Sequence, residues 1–527
     1  MDTEGTPIQN ATGSINQNAT ANATTADDKG VQLELMKDAA KMPTYGEFET
    51  TDDKAQLVNS EEVSKGESDD RDRSSLPGAS LNTVNSIIGS GILGMPYAMN
   101  LAGLPLGIIL MILVSFVTDY SMVLLIKGGE LSGTGNYQDL VRAAFGKPGY
   151  VWLSAIQFLY PFIAMISYNV IIGDTITKVL MRIFHLPEED PMTVSMGTDH
   201  VLANRYFIIS ISTVLVTLPL SAYRNISKLV KVSIVSLFMV AFIVIVIIVR
   251  TATMGPHIPP TPGAWDFGHI HFAQAIGIMS FAFVCQHNSF LIYDSLEEPT
   301  IKNWSLVAHI SVMVSFLVSA LFGACGYATF KGYTQGDILE NYCHDDDLAN
   351  AARLIYGITI MFTFPIECFV TREVLDNIIV NWGYAEKPQT LTRHLVETLI
   401  LVGLTLGISM ATDCLGIVLE LNGVLGAVPL VFILPSASYL KFEEGTLYSL
   451  RKLPALIICI IGVFSMIAGF IMSFIYSKSC SHGREMWYCQ GNTSLPIHHV
   501  FDNQSLDYGY TTEEIYNLAD FVTSPLP

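Results

Sequence analysis

An all-α polytopic membrane protein of eleven transmembrane helices is the fold class this 527-residue sequence predicts, on three observations. Half of the residues are hydrophobic and only 14% are charged. The formal net charge of −20 is unevenly spread, with −9 on residues 1–75, −7 on 76–477 and −4 on 478–527. The middle segment holds 19 Lys/Arg and 26 Asp/Glu in 402 residues, far below the roughly 25% charged residues of a soluble domain. Through it recur apolar stretches of about 20 residues, the length a helix needs to cross hydrocarbon. A nucleic-acid binder needs clustered basic charge and is excluded. Eight cysteines are too sparse for a secreted disulfide scaffold.

Residues 1–75 form an acidic cytoplasmic tail, rich in Asn, Thr, Ala and Asp near its start, without the basic and apolar regions of a signal peptide. Such a composition cannot bury enough apolar surface to offset chain entropy, so disorder is expected. Asn10, Asn18 and Asn22 each open an Asn-Ala-Thr sequon, and Tyr45-Gly-Glu-Phe48 has the form of a tyrosine sorting signal.

Residues 76–477 form the membrane body. Its clearest span is Val232 to Val249, eighteen residues without a charge between Lys231 and Arg250. The same reading gives spans near 78–101, 105–126, 150–181, 205–221, 230–250, 273–296, 305–330, 350–371, 394–411, 415–440 and 453–477. Short loops on one side carry thirteen Lys/Arg, including Lys127, Arg224, Arg393 and Lys452, against eight on the other. That bias puts the N-terminus in the cytoplasm, so the three N-terminal sequons are inaccessible to glycosylation. An odd span count then puts residues 478–527 on the extracellular or luminal side. This tail carries sequons at Asn492 and Asn503, and Cys480 and Cys489 as a candidate disulfide on the oxidising side. The other cysteines mostly fall in apolar spans, where they read as small buried hydrophobes.

No Walker loop, Gly-x-Ser-x-Gly elbow or His-Glu-x-x-His is present, and the twelve histidines are scattered, so an enzyme is not expected. The informative stretch is Asn85-Ser-Ile-Ile-Gly89-Ser90-Gly91-Ile-Leu-Gly94-Met-Pro96. Three glycines and a proline in mid-span disfavour a continuous helix. Broken backbone survives in a membrane only where protein or a water-filled cavity satisfies it. The second half-helix then offers amides to a carboxylate and the first offers carbonyls to a cation. A glycine face for close helix packing is the rival reading.

With "NSIIGSGILGMPYAMNLAGL" at 85–104, the chain resembles the amino acid/auxin permease family and its sodium-coupled neutral amino acid transporter branch. Supporting segments are "NYQDLVRAAFGKPG" at 136–149, "AYRNISKLVKVS" at 222–233, "SFAFVCQHNSFLIYDSLEEPT" at 280–300 and "NGVLGAVPLVFILPSASYLK" at 422–441. The resemblance implies a leucine-transporter-like inverted 5+5 repeat, over about 76–250 and 271–441, with an extra span at 453–477. It implies secondary active import of small neutral amino acids by symport with sodium, or with protons as the alternative, and no cofactor.

Span 6 is then expected to be broken like span 1. It has no proline, and its irregularity is the polar run Gln286-His-Asn-Ser289 after Phe281-Ala-Phe-Val-Cys285. The amides of Gly89, Ser90 and Gly91 are expected to hold the substrate carboxylate, with Phe283, Gln286 and His287 shaping the side-chain pocket. In span 8, Thr359, Thr363 and Glu367 recur at i, i+4 and i+8 along one face. By resemblance, Asn85 and Thr363 match the family's cation-linked pair, and Thr359 joins them. Either threonine can instead bond its own i−4 carbonyl.

Two residues depart from the family pattern. Glu367 is an unexpected mid-membrane carboxylate. Pro96 stands where sodium-coupled members tend to have serine, which opens the choice of coupling ion. Asp119 and the pair Asp174/Lys178 are further intramembrane ionisable groups, the pair expected to neutralise itself near the outer interface. The expected partners are a small-molecule amino acid and the lipid bilayer, with no nucleic acid and a monomeric transport unit. The expected location is the plasma membrane, with an endolysosomal membrane as the alternative. An amino acid sensor using the same pocket is the rival from another class.

Overall fold

A computed structural model describes residues 74–186, 201–224, 232–384, 389–412, 414–476, 480 and 485–489. The N-terminal sequons, the Tyr45 motif and the candidate glycosylation sites Asn492 and Asn503 lie outside the described residues.

Proline and glycine punctuate a series of apolar helices. Helix α1 (Leu76–Ile87) has Pro77 in its first turn, where the missing amide hydrogen costs nothing. A 3₁₀ turn, Ser90–Gly94, leads into α2 (Met95–Ala102), again with its proline near the start. Helix α3 (Leu104–Ser132) ends at left-handed Gly133. Helix α4 (Tyr137–Phe184) is capped by Asn136, whose side chain accepts from the Asp139 amide at 2.8 Å. It kinks at Gly146, whose φ of 69° a residue with a Cβ rarely adopts. Then come α5 (Arg205–Ser221) and α6 (Val232–Thr253). Helices α7 (Phe272–Phe283) and α8 (Gln286–Asp294) follow one another across a two-residue gap. The remainder are α9 (Ile301–Phe330), α10 (Asp347–Asn381), α11 (Leu391–Ala411), α12 (Leu415–Phe442) and α13 (Leu453–Ile475).

The chain is thus all-helical among the described residues, apart from one isolated bridge between Ser74 and Leu296. Counting α7 and α8 together, nine of these helices are long and apolar enough to cross a membrane. Of the other two expected spans, 78–101 is divided into helices of 12 and 8 residues, and α5 is a shorter apolar helix.

The core sits around α7–α8 and α12, whose most apolar windows are each 83% buried, against 28% for α6 and α13. Helices α7 and α12 cross backbone to backbone. A Cβ on Gly423 would lie 2.0 Å from the carbonyl oxygen of Gly277. Helix α10 runs along α4.

The disulfides correct the expectation for the C-terminal tail. Cys480 and Cys489 do not pair with each other. Cys489 is bonded to Cys343 and Cys480 to Cys414, with Cα separations of 5.4 and 5.6 Å. Both are within the range a disulfide needs. The error came from treating the other cysteines as one class. Cys343 and Cys414 lie just before α10 and α12, at the end of the bundle where the tail returns. The remaining cysteines, Cys285, Cys325, Cys368 and Cys459, are free.

Candidate functional site

Both expected interruptions are present, and they face each other. In the first, Ile88 (ψ 82°) and Gly89 (φ −117°, ψ −145°) leave helical geometry between α1 and the 3₁₀ turn. The Gly89 amide donates to the Ile87 carbonyl at 3.0 Å. Of the three amides expected to hold a carboxylate, those of Ser90 and Gly91 open the 3₁₀ turn and have no partner within it. The glycines here have different reasons. A Cβ on Gly91 would lie 2.5 Å from Cα of Ala282, and one on Gly94 would lie 2.6 Å from the Leu419 side chain. Those two permit close packing, while a Cβ on Gly89 would meet nothing within 4 Å. The broken-helix and packing readings are therefore both correct, at different residues.

The second interruption falls at Val284, which is extended, and Cys285 (φ −146°, ψ 5°). Gln286 brackets it. Its Oε1 accepts from the Cys285 amide at 3.0 Å and its Nε2 donates to the Ser121 hydroxyl at 2.9 Å. Asn288 donates to the Ser86 hydroxyl at 2.9 Å, tying α8 to α1. Phe283 and Gln286 are fully buried. The His287 ring lies 5.8 Å from that of Tyr160, which is also 5.7 Å from Phe281. His287 Nδ1 is buried without a hydrogen-bond partner.

A cavity of about 60 Å³ lies between α1, α6 and α10. Asn85, Gly89, Thr359 and Thr363 line it together, joined by Ser236 and Tyr356. Oδ1 of Asn85 is a buried acceptor with no partner, and the Tyr356 hydroxyl is likewise buried and unbonded. The threonines do bond their own helix, Thr359 to Ile355 O at 2.8 Å and Thr363 to Thr359 O at 2.9 Å. Giving the proton away leaves each hydroxyl's lone pairs to accept, so this bonding is compatible with a cation. Five oxygen-bearing side chains thus share the cavity with apolar Ile88, Val240, Ile360, Phe362 and Ile366, and hydroxyl and carbonyl oxygens of this kind suit a small hard cation.

Sequence reasoning missed Ser236 and Tyr356. Tyr356 shares the spacing of Thr359 and Thr363 and was findable on that face. Ser236 is a single hydroxyl in an apolar helix and had no such signal.

The remaining ionisable residues lie elsewhere. Glu367, one turn beyond Thr363, is hydrogen-bonded to Tyr168. Asp119 meets His309 at 2.7 Å. Asp174 does not pair with Lys178 as expected. It bonds Arg205 at 2.5 Å, and Lys178 donates to the Glu340 carbonyl at 3.3 Å. The i, i+4 spacing set up a local pair, but α5 and the segment before α10 supply other partners.

The family model described as "Transmembrane amino acid transporter protein" matches residues 72–475. A zebrafish (Danio rerio) protein named "Putative sodium-coupled neutral amino acid transporter 11" is 53% identical over 83% of this chain and 94% of its own. The human protein of the same name is 50% identical over 74% of this chain and 93% of its own. "Vacuolar amino acid transporter 2" of Saccharomyces cerevisiae is 31% identical, over 79% and 86% respectively.

Proposed function

The chain belongs to the transmembrane amino acid transporter protein family, and from that premise we propose that it imports small neutral amino acids by symport with sodium. It is a multi-pass integral membrane protein. The observation that carries the sodium reading is the cavity, where an unpartnered buried Asn85 oxygen faces the Thr359 and Thr363 hydroxyls beside a helix break. The names of the zebrafish and human relatives support the same ion. Ion and substrate share the broken span, so each stabilises the arrangement the other binds, and by linkage the effect is mutual.

In this reading the bundle crosses the membrane eleven times. The divided first span and α5 are the two crossings beyond the nine long helices. Spans 1–5 and 6–10 are related as inverted repeats, which the placement of one break in span 1 and one in span 6 supports. The N-terminus is cytoplasmic and the disulfide-bonded face is extracellular or luminal. The plasma membrane is the proposed location, and the vacuolar name of the yeast relative keeps an intracellular membrane as the alternative.

Radiolabelled uptake into proteoliposomes across an amino acid panel tests the reading, with sodium replaced by choline at two pH values. Accumulation that needs sodium supports it. Accumulation that survives choline but collapses with the pH gradient favours proton coupling. Binding without accumulation makes the protein a sensor.

A further inference from the structure

The segment between α9 and α10 folds inward as a cap. Its 3₁₀ turn, Ile338–Asn341, touches the 3₁₀ turn Ser90–Gly94 of the broken first span. A Cβ on Gly326 would meet both Pro96 and Ile338, at 2.6 and 3.4 Å. Arg353, fully buried, holds the cap by donating to the carbonyls of Leu339 (2.8 Å), Tyr342 and Cys343, and to Asn350 Oδ1. The Cys343–Cys489 disulfide fastens the far end, where Tyr488 donates to Asn341 O at 2.7 Å.

Asp337 sits inside this cap at 1% exposure. One carboxylate oxygen caps the 3₁₀ turn, accepting from the Leu339 amide at 2.9 Å. The other, Oδ2, is buried with no hydrogen-bond partner. The groups facing Asp337 are Glu340 on the cap itself, Asp174 and Lys178 on α4, and Arg353 and Tyr356 on α10. The two nearby cations direct their hydrogen bonds to neutral oxygens, Lys178 to the Glu340 carbonyl and Arg353 to the acceptors named above. A buried carboxylate oxygen with no donor costs several kcal/mol as an anion, and protonation removes the charge that makes it the costlier form.

We propose that Asp337 is a proton-binding site: the closed cap holds a proton on this carboxyl, and opening the cap toward the disulfide-bonded face releases it to that side. Burial, reinforced by Glu340 and Asp174, pushes the Asp337 carboxyl up from 3.8 to about 8. A raised carboxyl stabilises the closed form in acid and loses that contribution as pH climbs to the folded value. The proposal rests on the transporter reading for its meaning, because the cap would seal the route to the break, but its test does not need transport.

Hydrogen exchange of cap amides 337–343 is to be followed by mass spectrometry in the full chain in nanodiscs between pH 6.5 and 8, after division by intrinsic exchange rates. One released proton makes the opening constant rise about tenfold per pH unit. Asp337→Asn keeps a good 3₁₀ cap and is expected to flatten this rise to less than twofold. An equal slope in wild type and Asp337→Asn overturns the proposal. Should that variant fail to fold, Lys178→Met carries the test. Removing a neighbouring cation is expected to extend the rise to higher pH, and an unmoved profile overturns the proposal too. Failure of uptake with the exchange pattern intact would sink the transport reading and leave the proton site standing.

Discussion

Asn288 on α8 donates a hydrogen bond to Ser86 on α1 at 2.9 Å, so each interrupted span is fastened to the other beside its break. Asn288→Ala removes this side-chain bond between the breaks without altering either backbone. A net bond of about 1 kcal/mol corresponds to roughly a fivefold change in an equilibrium. Half-saturation of uptake is expected to rise by that factor with thermal stability nearly unchanged. An unaltered half-saturation would show that the breaks act independently.

Neighbouring glycines should respond in opposite ways. Gly91→Ala places a methyl 2.5 Å from the Ala282 backbone, and overpacking of this kind costs about 1–3 kcal/mol. Its melting temperature in detergent should fall by several degrees. Gly89→Ala meets no neighbour within 4 Å and should melt as wild type while losing uptake, because it narrows the cavity. Equal melting temperatures would show that the Gly91 contact is not a tight one.

The cavity makes a graded prediction for sodium. Thr363→Val preserves shape and removes one proposed ligand oxygen, worth about 1.5 kcal/mol to a charged partner, so the sodium needed for half-maximal uptake should rise roughly tenfold. Ser236→Ala should move it in the same direction. Sodium dependence unchanged in both variants would remove this cavity from the coupling mechanism.

Acid titration of the cap has a second participant. Burial, with Lys178 and Arg353 nearby, holds His344 down at about 3 from its usual 6.5. It is neutral in the closed cap, so its contribution is present above 6.5 and is lost as pH falls below it. Below 6.5 this opposes Asp337, and cap protection in the wild type should level off there. With His344→Gln, protection should keep increasing about tenfold per unit as pH falls from 6.5 to 5. Matching profiles would show that His344 stays buried when the cap opens.

The pairing of the disulfides is directly readable. Non-reducing peptide mapping should join the Cys343 and Cys489 peptides, and Cys414→Ser should free the Cys480 thiol for alkylation while leaving Cys489 protected. A linked Cys480–Cys489 peptide would contradict the structure.

The parts of this molecule written in local sequence were legible in advance. Gly89 to Pro96 announce a break because those residue types act on their own backbone, and helix periodicity puts Thr359 and Thr363 on one face, whereas Asn85 and the cation role came only with the family resemblance. The second break was harder, since Val284 and Cys285 carry no conformational signature and are held open by Gln286. Gln286 itself looked like a pocket residue because one sequence cannot say whether a polar side chain faces a ligand or a backbone amide. Asp174, Lys178, Cys480 and Cys489 were misassigned because their partners lie far along the chain. Sequence spacing speaks only for neighbours.

The Cys343–Cys489 bond joins cysteines 146 positions apart, and α10 to α13 and the second disulfide are nested between them. During synthesis, Cys343 cannot form this bond until four further helices and residue 489 have been made. Fastening of the cap is therefore a closing event in the biogenesis of this protein. A chain halted before residue 480 contains every described helix of the bundle but neither covalent clasp.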